Sequence, residues 1–345
     1  MNNQEVTIIA EAGVNHNGDL AKALELIDAA AAAGADYVKF QTFKASKMVN
    51  LTAQKAEYQV NNMKDNKDTQ FEMLQKLEMG NDWYAILIKR CLDRGINFLS
   101  TGFDADSIDF LNELNIPFYK IPSGEITNKS YLQHIARKGK NVIVSTGMAN
   151  MNEVKAAMEV LMSEGLVKEQ IIVLHCNTEY PTPMEDVNLL AMNYMANELG
   201  VKVGYSDHTL GIEVPIAAVA LGAQVIEKHF TLDRTLPGPD HAASLEPNEL
   251  KAMVSGIRNI EKAISGSGYK EPSKSETKNI AIARKSLHLS KDLSKGSVIE
   301  HNDLIALRPG DGISPMNVDK VVGKLTSRNL KAFNKLSSQD FYERP

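Results

Sequence analysis

Residues 141 to 164, NVIVSTGMANMNEVKAAMEVLMSE, contain the unit from which most of the chain is built. Their first part, residues 141–147, is apolar and β-branched up to Ser145, where polar residues and a glycine follow. The second part, residues 151–164, has helical length and is rich in Ala, Met, Val and charged residues. A short apolar run that leads into a helical segment predicts a parallel strand with its crossover helix.

The same unit recurs over the first three quarters of the chain. Seven further apolar runs resemble residues 141–147, with helical segments between most of them: 6–14, 35–42, 97–102, 118–123, 171–176, 201–207 and 224–230. Eight units in about 250 residues match the size of a closed (β/α)8 barrel. A doubly wound open sheet is the alternative, but no G-x-G-x-x-G motif follows the first run. We therefore predict an α/β fold with a TIM barrel over residues 1–265.

Three other segments depart from this rhythm. Residues 43–82 are long and polar, and long loops after barrel strands often carry function or act as lids. Residues 266–283 begin with Gly, Ser, Lys and Pro and predict an exposed linker. Residues 284–345 alternate short apolar runs with turn signals such as Pro309-Gly310, so we predict a small β-rich domain there.

Composition excludes several classes of protein. The 345 residues are 43% hydrophobic and 23% charged, as in an ordinary globular protein. A net charge of -5 provides no basic field for nucleic acid. The two cysteines, Cys91 and Cys176, cannot form a disulfide framework. With neither a signal peptide nor a long apolar run in the sequence, we expect a cytoplasmic protein that does not associate with membranes.

Polar and ionisable residues stand where the predicted strands end, and this is the end of a barrel at which active sites lie. Because an unpaired buried charge is costly, their convergence predicts a polar ligand. As an alternative, the serines and threonines at the strand ends could serve only as caps of the helices that follow. Capping does not explain the two lysines within strands. The residues include Glu11, Lys39, Gln41, Ser100, Thr101, Lys120, Ser123, Glu125, Ser145, His175, Thr178, Tyr180, Ser206, His208, Glu227 and His229.

Two lysines lie inside apolar runs, Lys39 in YVKF and Lys120 in FYKI. A lysine in such a run loses its hydration unless it meets an anion. Two lysines that face one cavity predict a site for a phosphate or carboxylate group. Two alternatives stay open, namely a structural ion pair with a carboxylate such as Glu11 or Glu125, and a lysine that forms a Schiff base.

Two histidines, His208 and His229, end adjacent predicted strands and could reach one metal ion. Asp207 and Glu227 would then orient the imidazoles from behind. Two imidazoles without a cysteine ligand favour a catalytic divalent ion over a structural zinc, although strand histidines are often only hydrogen-bonded. The stiff turn Pro-Gly-Pro-Asp240 could place its carboxylate over the same site, or could be an ordinary turn.

Taken in order, these motifs resemble the sialic acid synthase family, the phosphoenolpyruvate-dependent synthases of nonulosonic acids. The resemblance covers nearly the whole chain, and the ordered set is far more specific than any one motif. The C-terminal segment, with RPGDG from Arg308, resembles the antifreeze-like SAF domain of that family. The other matching stretches are EAGVNHNG from Glu11, VKFQT from Val38, YKIPSGE from Tyr119, STGM from Ser145, HCNTEYPTP from His175, SDHT from Ser206, EKHF from Glu227 and PGPD from Pro237.

The resemblance implies a set of ligands and a residue set for each of them. It implies a divalent ion at His208 and His229, Mn²⁺ first, with Mg²⁺ and Co²⁺ as alternatives. It also implies a homodimer in which the small domain of one subunit covers the barrel of the other. Phosphoenolpyruvate would meet Lys39, Thr101, Lys120, Ser123, Ser145, Thr178 and Ser206; the sugar would meet Glu11, Gln41, Phe103, Tyr180, Asp240 and Arg308. Some relatives carry Asn at the place of Thr178, so whether Asn177 or Thr178 faces phosphoenolpyruvate stays open.

The implied reaction joins phosphoenolpyruvate to an N-acylated amino sugar. C3 of phosphoenolpyruvate attacks the sugar carbonyl, which the metal polarises, water adds at C2, and phosphate leaves by C–O cleavage. Lys39 and Lys120 neutralise the anionic groups so that both reactants lie close together. Glu125 is the expected proton-transfer residue.

The acceptor sugar decides the product. We expect N-acetylmannosamine and N-acetylneuraminate first, with a 2,4-diacetamido-trideoxy hexose and N,N'-diacetyllegionaminate or pseudaminate as the alternative. The insertion around residues 55–59 is expected to contribute to this choice. Two other classes are a pyruvate Schiff-base aldolase, which the histidine pair disfavours, and a non-catalytic sugar-binding protein, which the density of ionisable groups disfavours.

Overall fold

The computed structural model describes residues 5–63 and 68–343 and divides into two compact units, Met1–Ser265 and Gly266–Pro345. The first unit contains eight parallel strands that pair in the order β3-β2-β1-β8-β7-β6-β5-β4. β3 and β4 lie side by side and complete a near-closed barrel, which confirms the predicted fold. The strands are β1 (Thr7–Gly13), β2 (Tyr37–Thr42), β3 (Asn97–Gly102), β4 (Tyr119–Ile121), β5 (Val142–Ser145), β6 (Ile171–Cys176), β7 (Lys202–Asp207) and β8 (Val225–His229).

Helices of the first unit start and end at residues suited to those positions. α1 begins after Asp19, whose side chain accepts from the Ala21 N–H, and it ends at Gly34, where φ is 85°. A capping box of Asn150 and Glu153 starts α8. The helices are α1 (Leu20–Ala33), α2 (Ala45–Met48), α3 (Glu57–Met63), α4 (Gln70–Leu77), α5 (Trp83–Arg94), α6 (Ala105–Glu113), α7 (Lys129–Ala136), α8 (Met151–Ser163), α9 (Ala191–Leu199), α10 (Glu213–Ala220) and α11 (Pro247–Ala263).

The barrel interior has an apolar layer and, above it, a polar layer. Side chains alternate between the two faces of a strand, so residues two apart share the inner face. The buried apolar cluster inside the barrel consists of Ile9, Leu99, Ile143, Leu174 and Val225. Two residues further along the same strands come Glu11, Thr101, Ser145, Cys176 and Glu227. Strand alternation thus delivers the polar side chains to one end of the barrel.

The insertion predicted as a long polar loop is folded. Its described residues, 43–63 and 68–82, form the helices α2, α3 and α4. A satellite core of Val14, Phe43, Ala45, Met73, Leu74 and Leu77 holds this segment together. The prediction of a loop was wrong because the polar composition hid the apolar stripe on α4.

The second unit has its own buried apolar cluster, which includes Leu287, Leu289, Ile299 and Leu336. Its elements are α12 (Lys274–Ala283), β9 (Ser286–Leu289), β10 (Leu304–Leu307), β11 (Leu325–Thr326) and β12 (Phe341–Tyr342), and the strands pair antiparallel as β9 with β10 and β11 with β12. The segment 266–283, predicted as a linker, contains α12, none of whose residues is buried. Nowhere in the described chain is a helix long and apolar enough to cross a membrane.

Candidate active site

A cavity of about 550 Å³ opens at the carboxyl ends of the barrel strands. It is lined by most of the residues that the sequence analysis selected. These are Glu11, Lys39, Gln41, Thr101, Phe103, Lys120, Ser123, Ser145, Thr178, Tyr180, Ser206, His208, His229 and Asp240. The parallel register explains this convergence, since Glu11 lies level with Lys39 on one side and with His229 on the other.

The two lysines lie in one buried ion-pair network with two carboxylates. Lys39 Nζ is 2.7 Å from Glu11 Oε2 and 3.5 Å from Glu227 Oε2, and it donates to Thr101 Oγ1 at 2.8 Å. Lys120 Nζ is 3.1 Å from Glu227 Oε1. None of these four charged side chains is more than 7% exposed. The structure thus contains the ion pair of Lys39 with Glu11 that the sequence analysis kept as an alternative.

Charge pairing inside this network overcomes the effect of burial on Lys39 and Glu227. Burial lowers the pKa of Lys39, but Glu11 and Glu227 outweigh it, so the pKa ends above its usual value. Burial raises the pKa of Glu227, but Lys120 and Lys39 outweigh it, so this pKa ends below its usual value. Glu11 differs, because burial raises its pKa despite Lys39. A Schiff base needs a neutral amine, so the raised pKa of Lys39 argues against that chemistry there.

Hydroxyl groups surround the charged network. Ser206 Oγ donates to Glu227 Oε1 at 2.9 Å. Ser123 Oγ accepts from the Gly147 N–H at 3.0 Å. Ser145 Oγ is buried and has no hydrogen-bond partner among the described residues. A buried hydroxyl without a partner is uncommon, and this one is available to an oxygen-rich ligand.

The two histidines line the cavity close together, with ring centroids 5.5 Å apart. His208 Nδ1 is hydrogen-bonded to the Asn177 carbonyl, so Nδ1 carries the proton and Nε2 is left as an acceptor. His229 Nδ1 is buried without a hydrogen-bond partner and lies 3.9 Å from Asp240 Oδ2. Burial lowers the pKa of His208 to about 4, and burial together with His208 lowers that of His229. Both imidazoles are therefore neutral at pH 7, as metal ligands must be.

The carboxylates predicted to orient these histidines have other partners. Asp207 Oδ2 lies 2.5 Å from Lys228 Nζ in a fully buried ion pair, and Asp207 also accepts from Thr209. Glu227 pairs with the lysines instead. The prediction that Asp207 and Glu227 orient the two imidazoles was wrong. Glu227 lies on the inner face of its strand, where it meets the lysines, and Asp207 lies on the outer face of its strand, where it meets Lys228. The sequence analysis did not select Lys228, although its position between two inward-facing residues already indicates that it lies on the outer face of the strand.

The donor set fits a divalent ion whose other ligands come from substrate or water. Within residues 5–63 and 68–343, no group of three or more His, Cys, Asp or Glu side chains is arranged to hold a metal. Two neutral imidazoles, one with an unpartnered buried nitrogen, are donors that would fit a divalent ion with open coordination positions.

Aromatic side chains and a carboxylate form the remaining side of the cavity. The Tyr180 ring lies 4.1 Å from the His208 ring and stacks on Tyr58 at 4.9 Å. Gln41 Nε2 donates to Glu11 Oε1 at 3.3 Å. Burial, with the Glu11 charge, raises the pKa of Asp240 to about 7.

Comparison with known proteins shows the family to which the chain belongs. The model of the NeuB family matches residues 26–270, and the model of the SAF domain matches residues 284–332. The chain belongs to the NeuB family. Relatives named N,N'-diacetyllegionaminic acid synthase are 51% identical to this NeuB chain in both Campylobacter jejuni (95% of this chain, 98% of the relative) and Legionella pneumophila (94% and 91%). The family members named here are synthases, and this chain is an enzyme of that class.

A solved family member has the same architecture. The crystal structure of N-acetylneuraminic acid synthetase from Leptospira borgpetersenii, in complex with citrate, matches with a TM-score of 0.69 at 37% identity. The match covers 81% of this NeuB chain and 91% of that one.

Ser100, His175 and Glu125, three residues of the first unit that the sequence analysis selected, do not line the cavity. Ser100 Oγ is hydrogen-bonded to Thr42 Oγ1, and His175 Nε2 to the Val187 carbonyl. β4 ends before Pro122, and the chain turns into a 3-10 helix, Ser123–Glu125, which interrupts the strand alternation. Glu125 is half-buried there, and its Oε2 accepts from Asn128 Nδ2 at 2.7 Å. Arg308 belongs to the second unit, where its Nε donates to the Ala283 carbonyl at 3.0 Å.

The structure also separates Asn177 from Thr178. Asn177 Oδ1 accepts from the Glu179 N–H at 2.7 Å, and its carbonyl bonds to His208. Thr178 lines the cavity. Asn177 therefore shapes the loop and positions His208, while Thr178 is the one exposed to a ligand in the cavity.

Proposed function

We propose that the chain is an N,N'-diacetyllegionaminic acid synthase. It would condense phosphoenolpyruvate with a 2,4-diacetamido-2,4,6-trideoxy hexose and water, giving the nonulosonic acid and phosphate. The observation that carries the acceptor is the 51% identity, over nearly the full length of both chains, to two synthases of that name. Identity to the solved N-acetylneuraminic acid synthetase is 37%. This difference favours the diacetamido acceptor over N-acetylmannosamine.

Phosphoenolpyruvate binding is supported by the polar layer of the barrel. Lys39 and Lys120 supply two buried cations, which the phosphate and carboxylate groups require. Ser145 supplies a hydroxyl that has no partner in the described structure. Thr101, Ser123, Thr178 and Ser206 line the same cavity and complete the proposed donor set.

His208 and His229 are the proposed holders of a divalent ion, Mn²⁺ first. The bound ion would act as a Lewis acid on the sugar carbonyl. Tyr180 packs against both imidazoles and limits the ring orientations open to them.

The proposed reaction forms a bond between C3 of phosphoenolpyruvate and C1 of the open-chain sugar. Lys39 and Lys120 hold the anionic groups so that the two carbons lie close together. Water adds at C2, and the resulting tetrahedral species loses phosphate by C–O cleavage. The alkoxide at C1 needs a proton; Glu125 remains the proposed donor, although its carboxylate contacts Asn128 in this structure.

The test is phosphate release from phosphoenolpyruvate with Mn²⁺, with the trideoxy diacetamido sugar and N-acetylmannosamine offered separately. We expect release with the diacetamido sugar at a kcat/KM at least tenfold above that with N-acetylmannosamine, and loss of release with EDTA. Lys120→Met should abolish release, while Lys89→Met, at a surface lysine that is 72% exposed, should not change it. Equal or better turnover of N-acetylmannosamine would overturn the proposed acceptor. If borohydride trapped pyruvate on the enzyme as a reduced Schiff base, the proposed reaction class would be wrong.

A further inference from the structure

The folded insertion supplies most of an apolar wall of the cavity that the proposed chemistry does not use. Met73, Leu74 and Leu77 of α4 line the cavity and are only 2%, 7% and 7% exposed. Because these side chains also pack in the satellite core, the surface is preformed. We call the following six cavity-lining residues the apolar wall: Val14, Met48, Met73, Leu74, Leu77 and Phe103.

The apolar wall lies beyond the polar layer, toward the mouth of the barrel. Val14 follows Glu11 by three residues, and Phe103 follows Thr101 by two. β1 ends at Gly13 and the chain turns at Val14. Phe103 still extends the ladder of β3, since its N–H bonds to the Thr42 carbonyl, and at about 3.3 Å per strand residue it stands roughly 7 Å beyond Thr101. The cavity is therefore charged at its base and apolar on one side near its mouth.

Helix α3 fastens the insertion to the loops that carry the proposed sugar contacts. Asn62 Nδ2 donates to the Tyr180 carbonyl at 3.2 Å and to the Pro239 carbonyl at 2.8 Å. The Tyr58 ring stacks on the Tyr180 ring with an interplanar angle of 28°. These contacts connect the insertion with the residues next to Asp240, so the apolar wall and the sugar-facing loops enclose the same space.

We propose that the apolar wall selects the acceptor by contacting its C6 methyl group. This inference rests on the proposed function, which puts C1 of the acceptor beside the lysines and histidines. C6 is the far end of the six-carbon chain and therefore points away from the polar layer, toward the wall. A hydroxyl on C6 would lose its water there without gaining a hydrogen-bond partner from six apolar side chains.

The size of the effect is bounded by what apolar pockets achieve. Such pockets reject an isostere that carries an added hydroxyl by on the order of 100-fold at most. We therefore expect kcat/KM to fall by about 10- to 100-fold when the C6 methyl becomes hydroxymethyl. The KM for phosphoenolpyruvate should not change, because the change at C6 is on the acceptor and leaves the proposed phosphoenolpyruvate-binding groups as they are.

The experiment compares two acceptors that both carry acetamido groups at C2 and C4 and differ only at C6. Phosphate release is followed for the wild type, Met73→Gln and Met63→Gln. Met73→Gln keeps the side-chain length but places an amide on the wall, so it should narrow the ratio of the two kcat/KM values by about tenfold. Met63 packs against the same satellite core without lining the cavity, so Met63→Gln should keep the wild-type ratio.

The outcomes separate the inference from the function on which it rests. Equal kcat/KM for the two acceptors in the wild type would overturn the wall as a selector, while the proposed function would stand. A ratio that moves equally in both variants would also overturn it, since the cause would then be loosened packing. No phosphate release with either acceptor would overturn the proposed function and this inference with it. If circular dichroism shows that Met73→Gln is unfolded, the wild-type ratio alone decides.

Discussion

Glu227 lies between two buried lysines and is the residue on which the charge balance of the cavity depends most. It contacts both Lys39 and Lys120, and no other carboxylate within the described residues lies within 4.0 Å of Lys120 Nζ. Breaking a buried ion pair from one side leaves an uncompensated charge, which is more costly than losing the attraction alone.

Glu227→Gln is therefore expected to lower the free energy of unfolding by about 3–5 kcal/mol. Phosphoenolpyruvate should recover part of this loss by supplying an anion, so it should raise the melting temperature of the variant more than that of the wild type. Thermal unfolding with and without phosphoenolpyruvate measures both effects. The control is Glu198→Gln, which removes an exposed partner of Lys155 and should change stability by less than about 1 kcal/mol. Equal stability of Glu227→Gln and wild type would contradict the buried network.

His16, which does not belong to the lysine network, makes the stability of the fold depend on pH. Its ring is fully buried against Trp83, and burial lowers its pKa from 6.5 to about 4. The unfolded chain therefore takes up a proton as the pH falls through 6.5, and the folded chain does so only near 4. Stability is complete above pH 6.5 and is lost as the pH falls toward 4.

We expect His16 to account for about 2 kcal/mol of the stability lost between pH 7 and pH 5. Urea unfolding gives the free energy of unfolding of the wild type and of His16→Gln at both pH values. The contribution of His16 is the loss between pH 7 and pH 5 in the wild type minus the loss in the variant. Other buried histidines titrate in both proteins and cancel. Identical pH dependence of the two proteins would show that His16 is not held neutral by burial.

Glu125→Gln tests a proposed catalytic residue that does not line the cavity in the structure. The variant should keep its fold and its Mn²⁺ affinity but lose turnover by at least about 100-fold, as expected for removal of a general acid. Circular dichroism, metal binding and phosphate release are measured together. Normal turnover would assign the proton transfer to another group, and Glu11, which lines the cavity and has a raised pKa, would be next.

At the scale of elements, the strands could be predicted because their pattern is local. β3 and β6 have exactly the predicted bounds, while β4 is shorter than the predicted run 118–123, since Pro122 has no N–H for the ladder. The helices of the insertion were missed because three apolar residues on α4 are not conspicuous in a polar segment. The Asn177 carbonyl that orients His208 could not be predicted, since backbone partners depend on how two loops meet.

Asn62 is expected to hold α3 in place over the cavity. Asn62→Ala removes two hydrogen bonds to loop carbonyls, which together contribute on the order of 1–3 kcal/mol to local stability. Amide hydrogen exchange of residues 57–63 should therefore accelerate by about 5- to 150-fold. Asn61→Ala, at the exposed neighbouring position, is the matched control and should leave exchange unchanged. Unchanged exchange in Asn62→Ala would mean that other contacts hold the helix.

At the scale of the whole molecule, the resemblance to the sialic acid synthase family implies a homodimer in which Arg308 would serve the cavity of the partner subunit. Arg308→Ala and His229→Ala should each be inactive alone. When the two are unfolded, mixed in equal amounts and refolded, half of the dimers contain one subunit of each kind. Such a dimer has one complete site, so activity should return to about a quarter of the wild-type value. No recovery, with dimers present, would place Arg308 in its own subunit's site, and full activity of Arg308→Ala alone would place it outside the reaction.

The proposed reaction joins phosphoenolpyruvate to a diacetamido acceptor and cleaves the C–O bond of phosphoenolpyruvate. The most direct measurement supplies the enzyme with phosphoenolpyruvate labelled with ¹⁸O in its bridging oxygen, the trideoxy diacetamido sugar and Mn²⁺. The ¹⁸O content of both products is then determined by mass spectrometry. We expect the label to leave in phosphate and the sugar product to be an unlabelled diacetamido nonulosonic acid. Label retained in the sugar product, or pyruvate in place of that product, would contradict the proposed reaction.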